Sequence, residues 1–353
     1  MGKQIIVLGM HRSGTSLLTR LLTMMGVYFG SDEIHTGASR ENPKGFWERR
    51  DIRELNDLLL SSVGADWDRV AGFSAEAVPA KDRTVFRERA KKIITALDAH
   101  APWVIKEPRL CVLFSFWRDL LVDPACVLIW RNPLEVALSL KSRNSIPLQY
   151  GLALWEYYTR ASIQASSEIP RILLSYAELM AEPVETVKTL AGFFKTNGVE
   201  DLTLPAATEI EQFVDDSLYR ERAQAAEACS YLNDEQKQLF NGLQNHTILQ
   251  EHYPPRLSES ARESLDSLGF LRELQAEHAT ARELLQTFCT WSDRLFVSGQ
   301  YRLGRIAGGL CRSFMRNRNF VSLPERKLRA ARDAAVRLTD TNSEHSSSPT
   351  REN

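Results

Sequence analysis

Gln4-Ile5-Ile6-Val7-Leu8 runs into Gly9-Met10-His11-Arg12-Ser13-Gly14-Thr15-Ser16, and reading these thirteen residues decides the fold. The apolar run has the length of a buried strand. Beyond the glycines, Leu17, Leu18, Leu21, Leu22 and Met25 recur at helical spacing, and Gly26 supplies a stop. A strand, a glycine loop and a helix in that order build an anion pocket. Backbone amides of Gly14, Thr15 and Ser16 at the helix start face the anion, the helix dipole favours it, and Arg12 adds a charge-assisted contact. Gly9 and Gly14 have the separation of the pattern G-x-x-x-x-G-K-[ST], but Thr15 stands where that pattern has lysine. That lysine serves the β- and γ-phosphates of a nucleoside triphosphate. Its absence points to an enzyme using a phosphorylated cofactor without a γ-phosphate. A tight strand-to-helix turn with an exposed arginine would explain the glycines but not the hydroxyls beside them.

Working outward, Trp103-Val104-Ile105 is a short apolar run ending at Lys106-Glu107-Pro108-Arg109, and Ala125 to Trp130 is another. Such continuous runs suit parallel strands covered on both faces. Asn132-Pro133 starts a helix, with proline suited to the first turn. Helical pattern holds from Leu148 to Ile169, Arg171 to Tyr176 gives a further strand, and a helix follows from about Pro183 to Phe194. Alternation of this kind predicts an α/β domain with a central, mostly parallel sheet flanked by helices. Ligands in such folds bind beyond the carboxyl ends of the strands. Arg12, Lys106 and Arg131 all follow strand ends, which places three cations around one crevice.

Bulk properties limit the alternatives. The 353 residues suffice for one large domain with appendages, and a quarter of them (25%) are charged, as in ordinary globular proteins. A net charge of -1 excludes a globally basic nucleic-acid coat. Cys111, Cys126, Cys229, Cys289 and Cys311 have neither zinc-site nor disulfide-framework spacing, and Cys111 and Cys126 read as small core residues. No metal is expected. Met1 leads directly into the first strand, without a secretory signal, and Ile6 stands where a myristoylation signal wants Ser or Thr. The expected compartment is the cytoplasm.

A second element is Arg131-Asn132-Pro133 with Ser139 further along the helix, about 9 Å beyond its start. Arg143 sits one turn beyond Ser139 on the same face. A guanidinium and a hydroxyl so spaced could share a phosphate, although each alone would read as a surface ion-pair residue and a helix serine.

Together the two elements resemble the sulfotransferase superfamily, which uses 3′-phosphoadenosine 5′-phosphosulfate. Arg12-Ser13-Gly14-Thr15-Ser16 is similar to its 5′-phosphosulfate loop, and Arg131 with Ser139 matches the spacing of its 3′-phosphate site. Lys106-Glu107-Pro108 resembles the Lys-Asp-Pro of the tyrosylprotein branch, with Glu for Asp. Asn42-Pro43-Lys44-Gly45-Phe46-Trp47-Glu48 is similar to bacterial, often carbohydrate-directed, members. The resemblance spans roughly residues 4 to 220 and implies a P-loop-like fold. The glycine-rich carboxyl-terminal signature of the small-molecule cytosolic branch is missing, so that branch's acceptors do not transfer.

The resemblance implies sulfuryl transfer to a hydroxyl, most simply of a saccharide or glycolipid. By analogy with phosphoryl transfer, this needs cations at the leaving oxygen and a base at the acceptor. Arg12 and Lys106 are the expected cations, Lys106 otherwise being a strand-end lysine paired with a carboxylate. Glu48 leads as base, with Phe46 and Trp47 as a desolvating floor for a sugar. Glu33 competes at a distance from the loop similar to that in the tyrosylprotein branch, and His11 lies on the cofactor side. Glu48 could equally be a first-turn helix acid. Trp155 and Tyr158 read as core.

Residues 1–255 are expected to form this domain and 256–338 a helical extension, starting with a capping box of Ser260 and Glu263. Between Tyr301 and Arg332, nine Lys/Arg face one acid on an amphipathic stripe, which could lie on anionic lipid or pack on the domain. Residues 339–353 are polar and serine-rich, as in disordered tails. Two other readings stand beside the transferase. One is a P-loop kinase relative using ATP and magnesium, the other a membrane-associated scaffold with a degenerate nucleotide site. Oligomeric state is not legible.

Overall fold

In the computed structural model, the apolar runs form four parallel strands: β1 (Gln4–Leu8), β2 (Trp103–Lys106), β3 (Pro124–Trp130) and β4 (Arg171–Ser175). The structure describes residues 3–266 except 32–34, 36, 38–44, 71–72, 200, 215–218, 220 and 250–255, and beyond them only 283–284, 286–287 and 290. Expectations for 301–332 and 339–353 therefore lie outside the described residues, as does Glu33. The chain divides into two compact units, Met1–Gly269 and Phe270–Asn353, of which the first carries the sheet.

Strand order is β2-β1-β3-β4. The chain leaves β1 toward one side for β2, then passes back across to β3. The loops after β1 and β3 therefore diverge and leave a crevice at the carboxyl edge. Register keeps that edge level. Val7 pairs with Lys106, Leu8 with Leu128, and Trp130 with Ser175.

Every residue of β1 and β2 is buried, and alternation sends successive side chains into two separate cores. Ile6, Leu8, Ile105 and Leu128 pack with helices α2 (Arg50–Ser61), α3 (Ala80–Asp98), α4 (Leu110–Arg118), α5 (Pro133–Asn144) and α6 (Leu148–Ala165). Ile5, Val7, Val104 and Val127 pack on the other face with α1 (Thr15–Met24) and α8 (Pro183–Thr196), α7 being the short Tyr176–Ala181. Helices α9 (Ala207–Phe213), α10 (Ala225–Tyr231) and α11 (Asp234–Gln244) follow in the same unit. Cys111 and Cys126 are buried, and desolvation pushes the Cys126 thiol up to about 12, which leaves it inert as a nucleophile.

Local chemistry sets the ends of α1. Gly26, at φ 90°, closes it, its amide donating to the Thr23 carbonyl at 3.0 Å while Val27 reaches Leu22 at 3.1 Å. Further on, the capping expectation needs correction. The helix that contains residues 259–266 is capped by Ser258, whose hydroxyl accepts from the Ala261 amide at 3.3 Å, while Ser260 accepts from Asn233 Nδ2 at 2.6 Å. The Ser258 hydroxyl also donates to buried Glu156 of α6 at 2.7 Å, a better-satisfied position than any available to Ser260. Among the described residues, no helix is long and apolar enough to cross a membrane.

Candidate active site

Two glycines make the β1–α1 loop possible. A Cβ on Gly9 would lie 2.6 Å from the Ile129 carbonyl of β3. Gly14, at φ 86°, caps α1, and a Cβ there would meet the Tyr176 ring at 2.1 Å. Arg12 also holds a positive φ of 71°, a conformation unfavourable for an arginine. The first turn of α1 contains no acidic residue, so its amides and dipole present uncompensated positive charge.

Three strand-end cations meet at this loop. Arg12 Nε donates to Ser139 Oγ of α5 at 3.1 Å. Arg131 Nη1 donates to the Arg12 carbonyl at 3.1 Å. Lys106 Nζ donates to Ser16 Oγ at 3.3 Å, to the Phe46 carbonyl at 2.6 Å and to Glu48 Oε1 at 2.8 Å. Ser16 Oγ in turn donates to the Phe46 carbonyl at 2.7 Å. Lys106 is fully buried, and desolvation lowers its pKa even though the Glu48 carboxylate opposes the shift.

The pairing differs from the spacing argument in one respect. Arg131 and Ser139 do not turn to each other. Arg131 Nε donates to Glu135 at 2.7 Å and Nη2 to the Glu221 carbonyl at 2.6 Å, while its guanidinium lies 4.8 and 4.9 Å from the Tyr176 and Tyr219 rings. Glu135, one turn after Arg131, captures it first, and Ser139 is left to Arg12. Tyr219 and the Ala223 amide also donate to Glu135, each at 3.0 Å. Glu135 carried no functional signal in the sequence beyond its i,i+4 relation to Arg131.

The Ser13 amide donates to the Met10 carbonyl at 3.1 Å, and the residue lines an interior recess with Thr159 and Ser162, so its side chain faces inward. Gly14, Thr15 and Ser16 form the start of α1. Arg143 lies in the last turn of α5. Glu48 precedes Arg49, the N-cap of α2, and is therefore no first-turn acid; Asp51 has that place. The Trp47 ring lies under the Arg20 guanidinium at 4.9 Å and 5.9 Å from the Phe29 ring, at a residue with a positive φ of 50°. Trp155 and Tyr158 are core residues, and Trp155 Nε1 donates to the Arg131 carbonyl at 3.2 Å.

His11 lies beside this centre. Burial, and then the charges of Arg109, Lys106 and Arg12, hold its pKa well below 6.5. An unfolded chain protonates this imidazole near the ordinary value while the folded one does not, so the unfolded state binds more protons below that pH. His11 thus makes folding stability fall as pH drops through about 6.5. Urea unfolding of His11→Asn is expected to show a flatter change than wild type between about pH 7.5 and about pH 5.5. An unchanged slope would remove His11 as the source.

A family model described as "Sulfotransferase family" matches residues 4–201. Among solved structures, the sulfotransferase domain of the Synechococcus PCC 7002 olefin synthase shares 15% identity, covering 75% of this chain and 94% of that one, with a TM-score of 0.36. Sulfotransferase STF9 from Mycobacterium avium shares 18% identity over 69% of this chain and 76% of its own, with a TM-score of 0.38. STF1 from Mycobacterium tuberculosis H37Rv shares 17% over 69% and 77%, with a TM-score of 0.36. No curated protein matches by sequence.

Proposed function

Since the chain belongs to the sulfotransferase family, we propose that it moves a sulfuryl group from 3′-phosphoadenosine 5′-phosphosulfate to a hydroxyl of a saccharide or glycolipid, with Glu48 as base. The observation that carries this reading is the hydrogen bonding of Lys106 and Arg131 to the loop that contains Arg12 and opens α1. Such a donor needs two anion sites on one crevice. The acid-free start of α1, with Arg12, Ser16 and Lys106, suits the 5′ end, and Arg131 with Ser139, which Arg12 ties to the loop, suits the 3′-phosphate.

When bound, the donor supplies an activated S–O bond whose cleavage leaves negative charge on a phosphate. Lys106 meets that charge as a buried ammonium, where an electrostatic contact is worth far more than in water. Glu48, 2.8 Å from Lys106, takes the proton of the attacking hydroxyl, so base and cation act from one hydrogen-bonded pair beside the reacting atoms. Water exclusion around Lys106 comes from the Phe46 carbonyl and Ser16, which complete its shell.

Calorimetry with adenosine 3′,5′-bisphosphate tests the reading. Wild type is expected to bind, and Arg131→Ala to bind more weakly, each lost charged hydrogen bond costing about 1.5–3 kcal/mol. Thermal stabilisation by ATP with magnesium and none by the bisphosphate would favour the kinase reading instead. Equal binding by Arg131→Ala would remove Arg131 from the site.

A further inference from the structure

A second cluster adjoins the Lys106–Glu48 pair. The His11 ring lies 4.5 Å from the Trp67 ring and 5.8 Å from that of Tyr158. Tyr158 donates its hydroxyl to the Trp67 carbonyl at 2.7 Å, and Tyr150 donates to the Asp68 carbonyl, so α6 fixes this segment. Arg109, the N-cap of α4, pairs with Asp57 of α2 at 2.7 Å and with Glu107 at 2.6 Å. Asp57 keeps 44% of its side chain exposed, which opens the cluster to solvent.

His11 connects this cluster to the reaction centre. Arg109, Lys106 and Arg12 all act electrostatically on its imidazole. Its Nε2 is buried and has no hydrogen-bond partner among the described residues. An unmatched buried polar atom costs about 1–3 kcal/mol, and a ligand that supplies the partner relieves that cost. The aromatic residue expected from the sequence, Trp47, is occupied by Arg20, whereas Trp67 is half-buried beside His11.

Building on the reading above, we propose that the acceptor is a saccharide that docks on Trp67, with Asp57 and Arg109 bonding its hydroxyls and His11 Nε2 bonding one of them beside Lys106. An indole covers the apolar C–H face of a pyranose. A carboxylate next to a guanidinium offers an acceptor and donors to adjacent hydroxyls, and a neutral imidazole can serve either way. A simple phenol would use the indole and leave the polar pair idle.

The test uses the full-length protein, 3′-phosphoadenosine 5′-phosphosulfate, and the 4-nitrophenyl β-D-glycosides of glucose, galactose and N-acetylglucosamine. Wild type is expected to sulfate at least one. Trp67→Ala and Asp57→Asn are each expected to raise its KM tenfold or more, on the order of one factor of ten per 1.4 kcal/mol lost, with Trp67→Phe between. Binding of adenosine 3′,5′-bisphosphate should be unchanged in all three. Trp67 packs on the core and Asp57 pairs with buried Arg109, so denaturant titration accompanies the kinetics, and Trp67→Phe, which keeps an aromatic ring there, separates stacking from folding. Unaltered KM values in both would overturn the proposal, as would a wild type that binds the bisphosphate but sulfates no glycoside. A wild type that fails to bind the bisphosphate would overturn the donor reading instead.

Discussion

Lys106→Met is expected to lower the rate of sulfuryl transfer by about 10²- to 10³-fold, the usual effect of removing one preorganised donor from a developing negative charge. Methionine keeps the apolar stem of the side chain and deletes the ammonium. The variant also strands the Phe46 carbonyl and Glu48, whose shared partner is gone. Breaking a buried pair costs up to about 3–5 kcal/mol, and partial exposure of Glu48 to water places this case toward the lower end. Stability must therefore be followed by denaturant titration alongside rate. The pH profile separates chemistry from folding. Lys106 works in its charged form, and burial lowers its pKa, so activity is present at lower pH and lost as pH rises through that lowered value. Lys106→Arg, with a guanidinium that stays charged, should carry whatever activity it retains without that alkaline loss. Identical alkaline limbs in wild type and Lys106→Arg, from about pH 6 to about pH 10, would show that another group is titrating.

Glu48→Gln is expected to reduce turnover by about 10²- to 10⁴-fold, the range for loss of a positioned base. Affinity for adenosine 3′,5′-bisphosphate should survive, because Glu48 touches Lys106 and not the Arg12–Ser139 pair. The two residues are coupled in a further way. The Glu48 carboxylate is the leading influence holding the Lys106 proton on. Without it, the alkaline limb of the residual activity should move to lower pH. Full activity in Glu48→Gln would transfer the role of base to Glu33 or elsewhere. Unchanged turnover with a displaced alkaline limb would mean that Glu48 serves only to tune Lys106.

Much of the fold was legible in sequence because its signals are local. Apolar runs at residues 4–8, 103–105 and 125–130, each followed by a loop and a helix, permit little other than a parallel sheet. Gly9 and Gly14 announce a loop in which a Cβ would strike β3 or Tyr176. Where local signals were wrong, a competing partner explains the difference. Ser258 takes the cap expected of Ser260 because Glu156, distant in sequence, holds its hydroxyl and its amide. Trp47 lies against Arg20 and Phe29, contacts that no local pattern announced.

By itself, the sequence determined the strand–loop–helix unit, the parallel α/β architecture and the identities of Arg12, Lys106 and Arg131 as strand-end cations. Each of these depends on neighbours within a few positions along the chain. Only the tertiary structure decided which groups those cations meet. The order β2-β1-β3-β4 sets the carboxyl ends of β2 and β3 on either side of β1, and α5 brings Ser139 to Arg12. Glu135 claims Arg131, Glu48 closes on Lys106, and Trp67 comes beside His11. Apart from the i,i+4 pair of Glu135 and Arg131, these contacts join residues far apart in the chain. Strand order and the competition of several acceptors for each buried cation are properties of the packed molecule, and no local pattern encodes them.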